Sequence, residues 1–352
     1  MNSNQLHLVV MAGGSGTRFW PKSTQKTPKQ LLAFGRDSTK TLLTQTMTRF
    51  DHLVDRKNRW IVTTGQLSLA VREQVGDSVH ILAEPQGRNT APCVFWSAKE
   101  VLKKDPNAVM LVMPSDHFIK NEAAFLETIG EAAAWASKTG DLVTLGVKPD
   151  RAETGYGYLK LGKSIEGRRA IPLAAFVEKP NRERAEEFLR AGNYLWNGGM
   201  FVWRADAILK AFNQYMPELE KVWAESQGSV EKAYPKMTAT SIDYGVMEKA
   251  ENVVAFELNC GWDDLGSWTS LETLAHELDT KRPEGVVGQG QVVGIDSTGN
   301  IVDAPGQKVA LMGVNNLIVV RAGEVILVAD KNRAQDIKLM VQEFKIKFPD
   351  LI

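Results

Sequence analysis

From residue 6 to about residue 150 the chain alternates short apolar runs with amphipathic stretches. Leu8–Met11, Trp60–Thr63, Val79–Leu82, Ala108–Met113 and Leu142–Val147 read as strands. Between them, Thr41 to Phe50 sets Leu42, Leu43, Met47 and Phe50 on one helical face, and Asn89-Thr90-Ala91-Pro92 reads as a helix cap with proline in the first turn. Strands alternating with crossover helices predict a parallel α/β sheet. Val109–Met113 is continuously apolar rather than alternating, the pattern of a strand covered on both faces, so it belongs at the centre.

From about 150 to 265 the pattern is mixed, with strands expected near 156–161, 174–178, 199–203 and 253–257 and helices near 182–191, 205–212 and 241–250. After Lys281-Arg-Pro-Glu-Gly it changes to strands of four to six residues separated by Gly, Asp and Asn turns, closing with Ile337, Met340, Val341 and Phe344 at helical spacing. The expected organisation is a Rossmann-like α/β domain with a mainly parallel mixed sheet over residues 1–280. A small β-rich domain with a terminal helix follows over 281–352, with no long internal repeat. A length of 352 residues agrees with roughly two domains of ~150 each.

Charge narrows the partners. Lys plus Arg total 42 and Asp plus Glu total 42, so no net field favours nucleic acid or an anionic membrane. No apolar run approaches the ~20 residues that span a bilayer, and no signal-like leader is present, so a cytoplasmic location is expected. Cys93 and Cys260 lack CxxC spacing and nearby histidines, which argues against zinc and against a disulfide framework.

The strongest local chemistry lies in Leu8-Val-Val-Met-Ala-Gly-Gly-Ser-Gly-Thr-Arg18. A strand runs straight into a glycine-rich turn, where missing side chains let backbone N–H groups converge on an anion. Two competing motifs fail. The dinucleotide fingerprint would need a glycine where Phe19 stands. The literal phosphate-loop match Gly157-Tyr-Leu-Lys-Leu-Gly162-Lys163-Ser164 alternates like a strand and has bulky residues where an open nest is required.

Gly13-Gly-Ser-Gly-Thr-Arg18, followed by Phe19-Trp20-Pro21 and Pro28-Lys29-Gln30, resembles the signature of nucleotidyltransferases that make nucleotide sugars. The likeness continues through Gly87-Arg-Asn-Thr-Ala-Pro92, Met113-Pro-Ser-Asp-His117, Glu153-Thr-Gly-Tyr-Gly157, Phe176-Val-Glu-Lys-Pro180, Trp196-Asn197, Ser241-Ile-Asp243 and Trp262-Asp-Asp-Leu-Gly266. In their order and spacing these motifs, covering about residues 6–275, are similar to the mannose-1-phosphate guanylyltransferase family.

The resemblance implies transfer of GMP from GTP to mannose 1-phosphate with Mg²⁺, giving GDP-mannose and pyrophosphate. It implies that Ala12, Gly13, Gly14, Ser15, Gly16, Thr17 and Arg18 hold the triphosphate, with Ser115 also on the nucleotide and Arg88 and Asn89 near its base and ribose. Lys29 would sit near the α-phosphate and the sugar phosphate, Lys179 on the sugar phosphate, and Gly157, Glu178 and Asn197 on the sugar. Arg18, Lys29 and Lys179 would be the catalytic cations, and Asp116 with Asp264 the metal ligands. The resemblance also suggests a homodimer, and a β-helix-like form for the small C-terminal β domain. Some relatives carry a further isomerase domain, and the chain length leads to the expectation of a single activity.

Blander roles stand beside these. Lone Lys and Arg residues are usually solvated surface groups, Asn89, Thr90, Ser115 and Asp116 suit helix capping, and Asp263 or Asp264 can cap a helix starting near Ser267. His117 reads as structural. Gly198 stands where the family usually has Ser or Ala. Two other functions stay open: the same reaction with another nucleotide or hexose, and a non-catalytic subunit that binds a nucleotide sugar.

Overall fold

The computed structural model describes residues 5–14, 17–34, 39–164, 166–277 and 290–349. These fall into two compact units. The first takes its residues from Met1–Gly13, Met47–Ser115 and Asn121–Trp262, and the second from Gly14–Thr46, Asp116–Lys120 and Asp263–Ile352. The expected boundary at 280/281 lies outside the described residues.

The first unit is built on strands β1 (Leu6–Met11), β2 (Arg59–Thr64), β3 (His80–Glu84), β4 (Val109–Pro114), β5 (Leu142–Val147), β6 (Tyr158–Leu161), β7 (Ile171–Val177), β8 (Tyr194–Arg204) and β9 (Val253–Leu258). They form one mixed sheet in the order β3-β2-β1-β4-β8-β5-β9-β7-β6. β1 runs parallel to β2 and β4, and the long β8 runs antiparallel to β4 and β5. Leu8, Val9 and Val10 in β1 and Val109 to Met113 in β4 are all buried. Both side-chain parities are enclosed, so both faces of the sheet are covered, as the uninterrupted apolar run predicts.

The helices are α1 (Leu42–Arg49), α2 (Ser68–Val75), α3 (Thr90–Lys104), α4 (Glu122–Thr139), α5 (Arg182–Ala191), α6 (Ala205–Tyr215) and α7 (Pro217–Glu225). α3 lays Val94, Phe95, Ala98 and Val101 into a core shared with Ile208 and Phe212 of α6. α4 packs on β4, β5, β8 and β9. The helix expected at 241–250 is not regular. Residues Asp243–Met247 form a single wide turn in which the Glu248 N–H bonds to the Asp243 carbonyl, five residues back, at 2.9 Å. Widened turns of this kind are rare and concentrate at functional sites.

The amino ends of β1 and β2 hold a buried histidine. His7 is 1% exposed; its Nδ1 accepts the indole N–H of Trp60 at 3.2 Å, while Nε2 stands 3.5 Å from Asp105, too far for a good hydrogen bond. Burial outweighs the pull of Asp105 and lowers the imidazole pKa to about 4. The native protein therefore holds His7 neutral, whereas the unfolded chain protonates it near ~6.5. Stability is retained above that value and falls as pH drops from ~6.5 toward 4, by at most about 3 kcal/mol. Urea melts at pH 7 and pH 5 should show wild type losing more stability than His7→Gln, and equal losses would remove His7 from the acid response. Taking the difference between the two proteins isolates His7 from carboxylates that titrate in the same window.

In the second unit the strands are β10 (Gln291–Ile295), β11 (Ile301–Asp303), β12 (Lys308–Met312), β13 (Leu317–Ala322) and β14 (Val325–Asp330), with helices α8 (Ser270–Glu277) and α9 (Ile337–Lys347). β10 pairs in parallel with β12 and β11 with β13, Lys308 lying 17 positions beyond Gln291 and Ile318 17 positions beyond Ile301. The chain thus winds two stacked coils of a parallel β-helix. Fully buried Asn300 ties them together: its amide donates to the Val314 carbonyl at 3.0 Å and accepts from the Leu317 N–H at 2.9 Å. The β-helix-like domain and terminal helix match the expectation, and the 17-residue register of the coils is an addition to the sequence reading.

The coil does not make its core alone. Phe19, Trp20, Leu32 and Phe34 from the segment after the glycine loop share one apolar cluster with Trp268, Ile301, Ile318, Val320, Leu327, Ile337 and Val341. The Trp268 indole donates to the Trp20 carbonyl at 3.1 Å, and Lys22 pairs with buried Asp303 at 2.6 Å. Among the described residues, no helix is long and apolar enough to cross a membrane.

Candidate active site

In the first unit, β1 ends at Met11 and delivers Ala12 and Gly13. Ala12 is buried and fastened at both backbone groups, its N–H to the Val62 carbonyl at 2.7 Å and its carbonyl to the Thr63 hydroxyl at 3.0 Å. Gly13 is exposed, and a Cβ there would stand 3.0 Å from the Glu84 carboxylate. Ser115, buried at the end of β4, bonds through its N–H to the Met11 carbonyl at 3.1 Å. Glu84 carries no signal in the sequence. Only 5% exposed, it accepts the Tyr234 hydroxyl; burial raises its pKa and that hydrogen bond works the other way.

Asn89 caps α3, its side chain accepting the Thr90 N–H at 2.8 Å, so the capping role is realised. Arg88 is exposed and donates to the Pro235 carbonyl. Tyr156 is half-buried, its ring packed against Trp196 and Trp262 at 5.2 and 5.5 Å. Tyr158–Leu161 is a strand, in line with rejecting the phosphate-loop match there.

Gly157, Glu178, Lys179 and Asn197 lie within this same unit. Glu178 Oε1 pairs with Lys179 Nζ at 2.7 Å, whereas Oε2 is buried with no hydrogen-bond partner among the described residues. A Cβ on residue 157 would collide with that oxygen, which is the physical reason for glycine there. Burial opposes the Lys179 charge, yet the hydrogen bond and charge of Glu178 keep its pKa above the ordinary lysine value.

Asn197 is locked on three sides. Its Oδ1 accepts the Thr144 hydroxyl at 3.1 Å and the Gly199 N–H at 3.2 Å, and its Nδ2 donates to Asp243 Oδ1 at 2.9 Å. Burial, followed by the charge of Glu178, pushes the Asp243 carboxyl up to about 6. Asp243 belongs to a motif visible in the sequence, but its role is visible only through the turn that carries it.

In the second unit, Thr17–Phe19 forms one tight turn with Arg18 exposed, and Ser15 and Gly16 lie outside the described residues. The Gly14 carbonyl accepts the amide of buried Gln30 at 3.1 Å. Lys29, in the short turn Lys29–Leu31, is buried rather than solvated. Its ammonium pairs with Asp116 Oδ2 at 2.9 Å and donates to the Asp264 carbonyl at 2.5 Å. Burial works to raise the Asp116 pKa, but the charges of Lys29 and His117 and the Lys29 hydrogen bond outweigh it and hold the carboxyl below the usual range. The helix near Asp116 is capped by Asn121, whose side chain accepts the Ala124 N–H at 3.1 Å, so Asp116 is not spent on capping.

Asp263 and Asp264 differ in employment. Asp263 Oδ1 accepts the Leu265 N–H at 2.6 Å, while the Asp264 carboxylate lies against Gly266. Leu265, like Lys179 and Asn89, has a positive φ, a conformation that ordinary side chains avoid and that accumulates at functional sites. Asp116 and Asp264 are hard oxygen donors suited to a hard divalent cation. Among the described residues no group of three or more His, Cys, Asp or Glu gathers.

Comparison with known proteins identifies the family. Residues 7–281 match the family model described as nucleotidyl transferase, and residues 290–344 match that of a MannoseP isomerase/GMP-like beta-helix domain. The chain is 37% identical to a mannose-1-phosphate guanylyltransferase of Salmonella montevideo, over 96% of this chain and 74% of that protein. It is 35% identical to one from Escherichia coli K12, over 98% of this chain and 74% of the other. A crystal structure from Thermus thermophilus, named a mannose-1-phosphate geranyltransferase, superimposes with a TM-score of 0.88 at 34% identity. That superposition covers 97% of this chain and 99% of that one.

Proposed function

The chain belongs to the nucleotidyl transferase family, and from that premise we propose that it transfers GMP from GTP to mannose 1-phosphate, forming GDP-mannose and releasing pyrophosphate. The observation that carries the chemistry is the buried Lys29 ammonium, fastened to both the Asp116 carboxylate and the Asp264 backbone. A cation fixed beside two aspartates suits a reaction whose main demand is neutralising phosphate charge. Residues 1–280 are proposed to carry the reaction and 281–352 the β-helix domain.

An oxygen of the sugar phosphate attacks the α-phosphorus of GTP, forming one P–O bond as the bond to the bridging α–β oxygen breaks in line. A phosphate monoester has a second pKa of about 6, so the nucleophile is already anionic and no general base is required. Lys29 offsets the repulsion between the two phosphates, Arg18 and the glycine-loop N–H groups orient the triphosphate, and Lys179 holds the sugar phosphate. Asp116 and Asp264 are the residues proposed to hold Mg²⁺, which when bound supplies charge stabilisation at the phosphoryl oxygens. Glu178 and Asn197 take the sugar.

A panel of four nucleoside triphosphates against several hexose 1-phosphates, followed by pyrophosphate release, should show GTP with mannose 1-phosphate turning over fastest. A faster pair would reassign the substrates. Zero release with every pair, alongside measurable GDP-mannose binding, would replace catalysis with a binding role.

A further inference from the structure

The wide turn at Asp243–Met247 and the residue after it are attached to the two residues assigned to the sugar that carry side chains, Asn197 and Glu178. Asp243 accepts the side-chain amide of Asn197 on β8 at 2.9 Å. Glu248 Oε1 accepts the backbone N–H of Glu178, just beyond β7, also at 2.9 Å. The Glu248 N–H in turn bonds to the Asp243 carbonyl, so the two anchors are parts of one closed loop of backbone. A regular helix would separate these carboxylates differently; the widened turn brings one to each strand.

What the anchors hold is a matched pair of unused hydrogen-bonding groups. Asn197 Oδ1 is occupied by Thr144 and Gly199 and one amide hydrogen by Asp243, so its orientation is determined, and among the described residues the second amide hydrogen has no partner. Glu178 Oε2 is a buried acceptor with no partner among the described residues, facing the side-chain-free Gly157. A buried carboxylate oxygen without a donor is costly, and a ligand hydroxyl relieves that cost. One donor and one acceptor at fixed angles suit sugar hydroxyls, and an epimer that misplaces one hydroxyl leaves a buried polar group unpaired.

We propose that Asp243 and Glu248 are positioning residues for the hexose: without touching the sugar, they set Asn197 and Glu178 at the angle that selects its hydroxyl configuration. This rests on the reading of the chain as a hexose 1-phosphate nucleotidyltransferase. The mechanism given above assigns these two residues no part, and their effect should be confined to the sugar side of the reaction.

Steady-state kinetics with mannose 1-phosphate and glucose 1-phosphate at saturating GTP provide the test. In Asp243→Ala and Glu248→Ala the KM for mannose 1-phosphate should rise about 10–100-fold, with the KM for GTP within about twofold of wild type. The preference for mannose over glucose, as a ratio of kcat/KM, should fall about tenfold. Asp243→Asn and Glu248→Gln, which keep an accepting oxygen, should recover most of both. An unchanged preference overturns the proposal, as does a loss confined to kcat and melting temperature, or amide variants no better than the alanines. Absence of wild-type turnover with mannose 1-phosphate would overturn the substrate reading itself, whereas wild-type turnover with an unmoved ratio overturns only this positioning role.

Discussion

Lys29→Ala should lower turnover by about 10²–10³ at saturating GTP and mannose 1-phosphate, the scale seen when one transition-state charge partner is removed. Unlike a surface lysine, this one also holds structure together: its ammonium ties Asp116 to the backbone of Asp264 inside the second unit. Removing it leaves a partly buried carboxylate without its ion pair, so a stability loss of roughly 1–3 kcal/mol should accompany the kinetic one. Arg18→Ala is the contrasting case. Arg18 is exposed, so the same direction of kinetic loss should appear with an unchanged melting temperature. The measurements are kcat well below the melting transition and thermal melts of all three proteins. Near-normal turnover in folded Lys29→Ala would remove Lys29 from the phosphate chemistry, whatever its effect on stability.

The central strands were legible because their signal is local. Val109–Met113 is apolar at every position, and burial of both parities is its structural counterpart. The glycine run and the aspartate after Met113-Pro-Ser were legible for the same reason. The β-helix register was not, because its 17-residue repeat is one of shape: Ile301 matches Ile318, but Gly294 faces Leu311 and Asp303 faces Val320. Nor does sequence order disclose that Phe19, Trp20 and Phe34 share a core with Ile301 and Ile337. The segment carrying Lys29 is thereby built into the same compact unit as the coil. The roles of Asp243 and Glu248 stayed hidden for a third reason: their stretch has helical spacing, and only the wide turn reveals which strands its carboxylates reach.

Neighbouring aspartates at 263 and 264 should differ sharply under the same substitution. Asp263 Oδ1 is engaged by the Leu265 N–H at 2.6 Å, a local bond that supports the left-handed backbone of Leu265. An asparagine there keeps an accepting oxygen, so Asp263→Asn should alter turnover and magnesium dependence by no more than about threefold. Asp264 takes Lys29 on its backbone carbonyl, a bond that an Asp264→Asn substitution leaves chemically intact. Asp116 is held ionised beside the same lysine despite partial burial. Replacing either Asp116 or Asp264 by asparagine puts a neutral amide oxygen where a hard cation needs an anionic one. Each should raise the magnesium concentration for half-activation at least about tenfold and lower turnover by about 10² or more. Magnesium titrations of the three folded variants decide the assignment. A severe Asp263→Asn with a mild Asp264→Asn would exchange the two roles, and mild effects in all three would move the metal away from these carboxylates, leaving Lys29 and Arg18 to carry the phosphate charge.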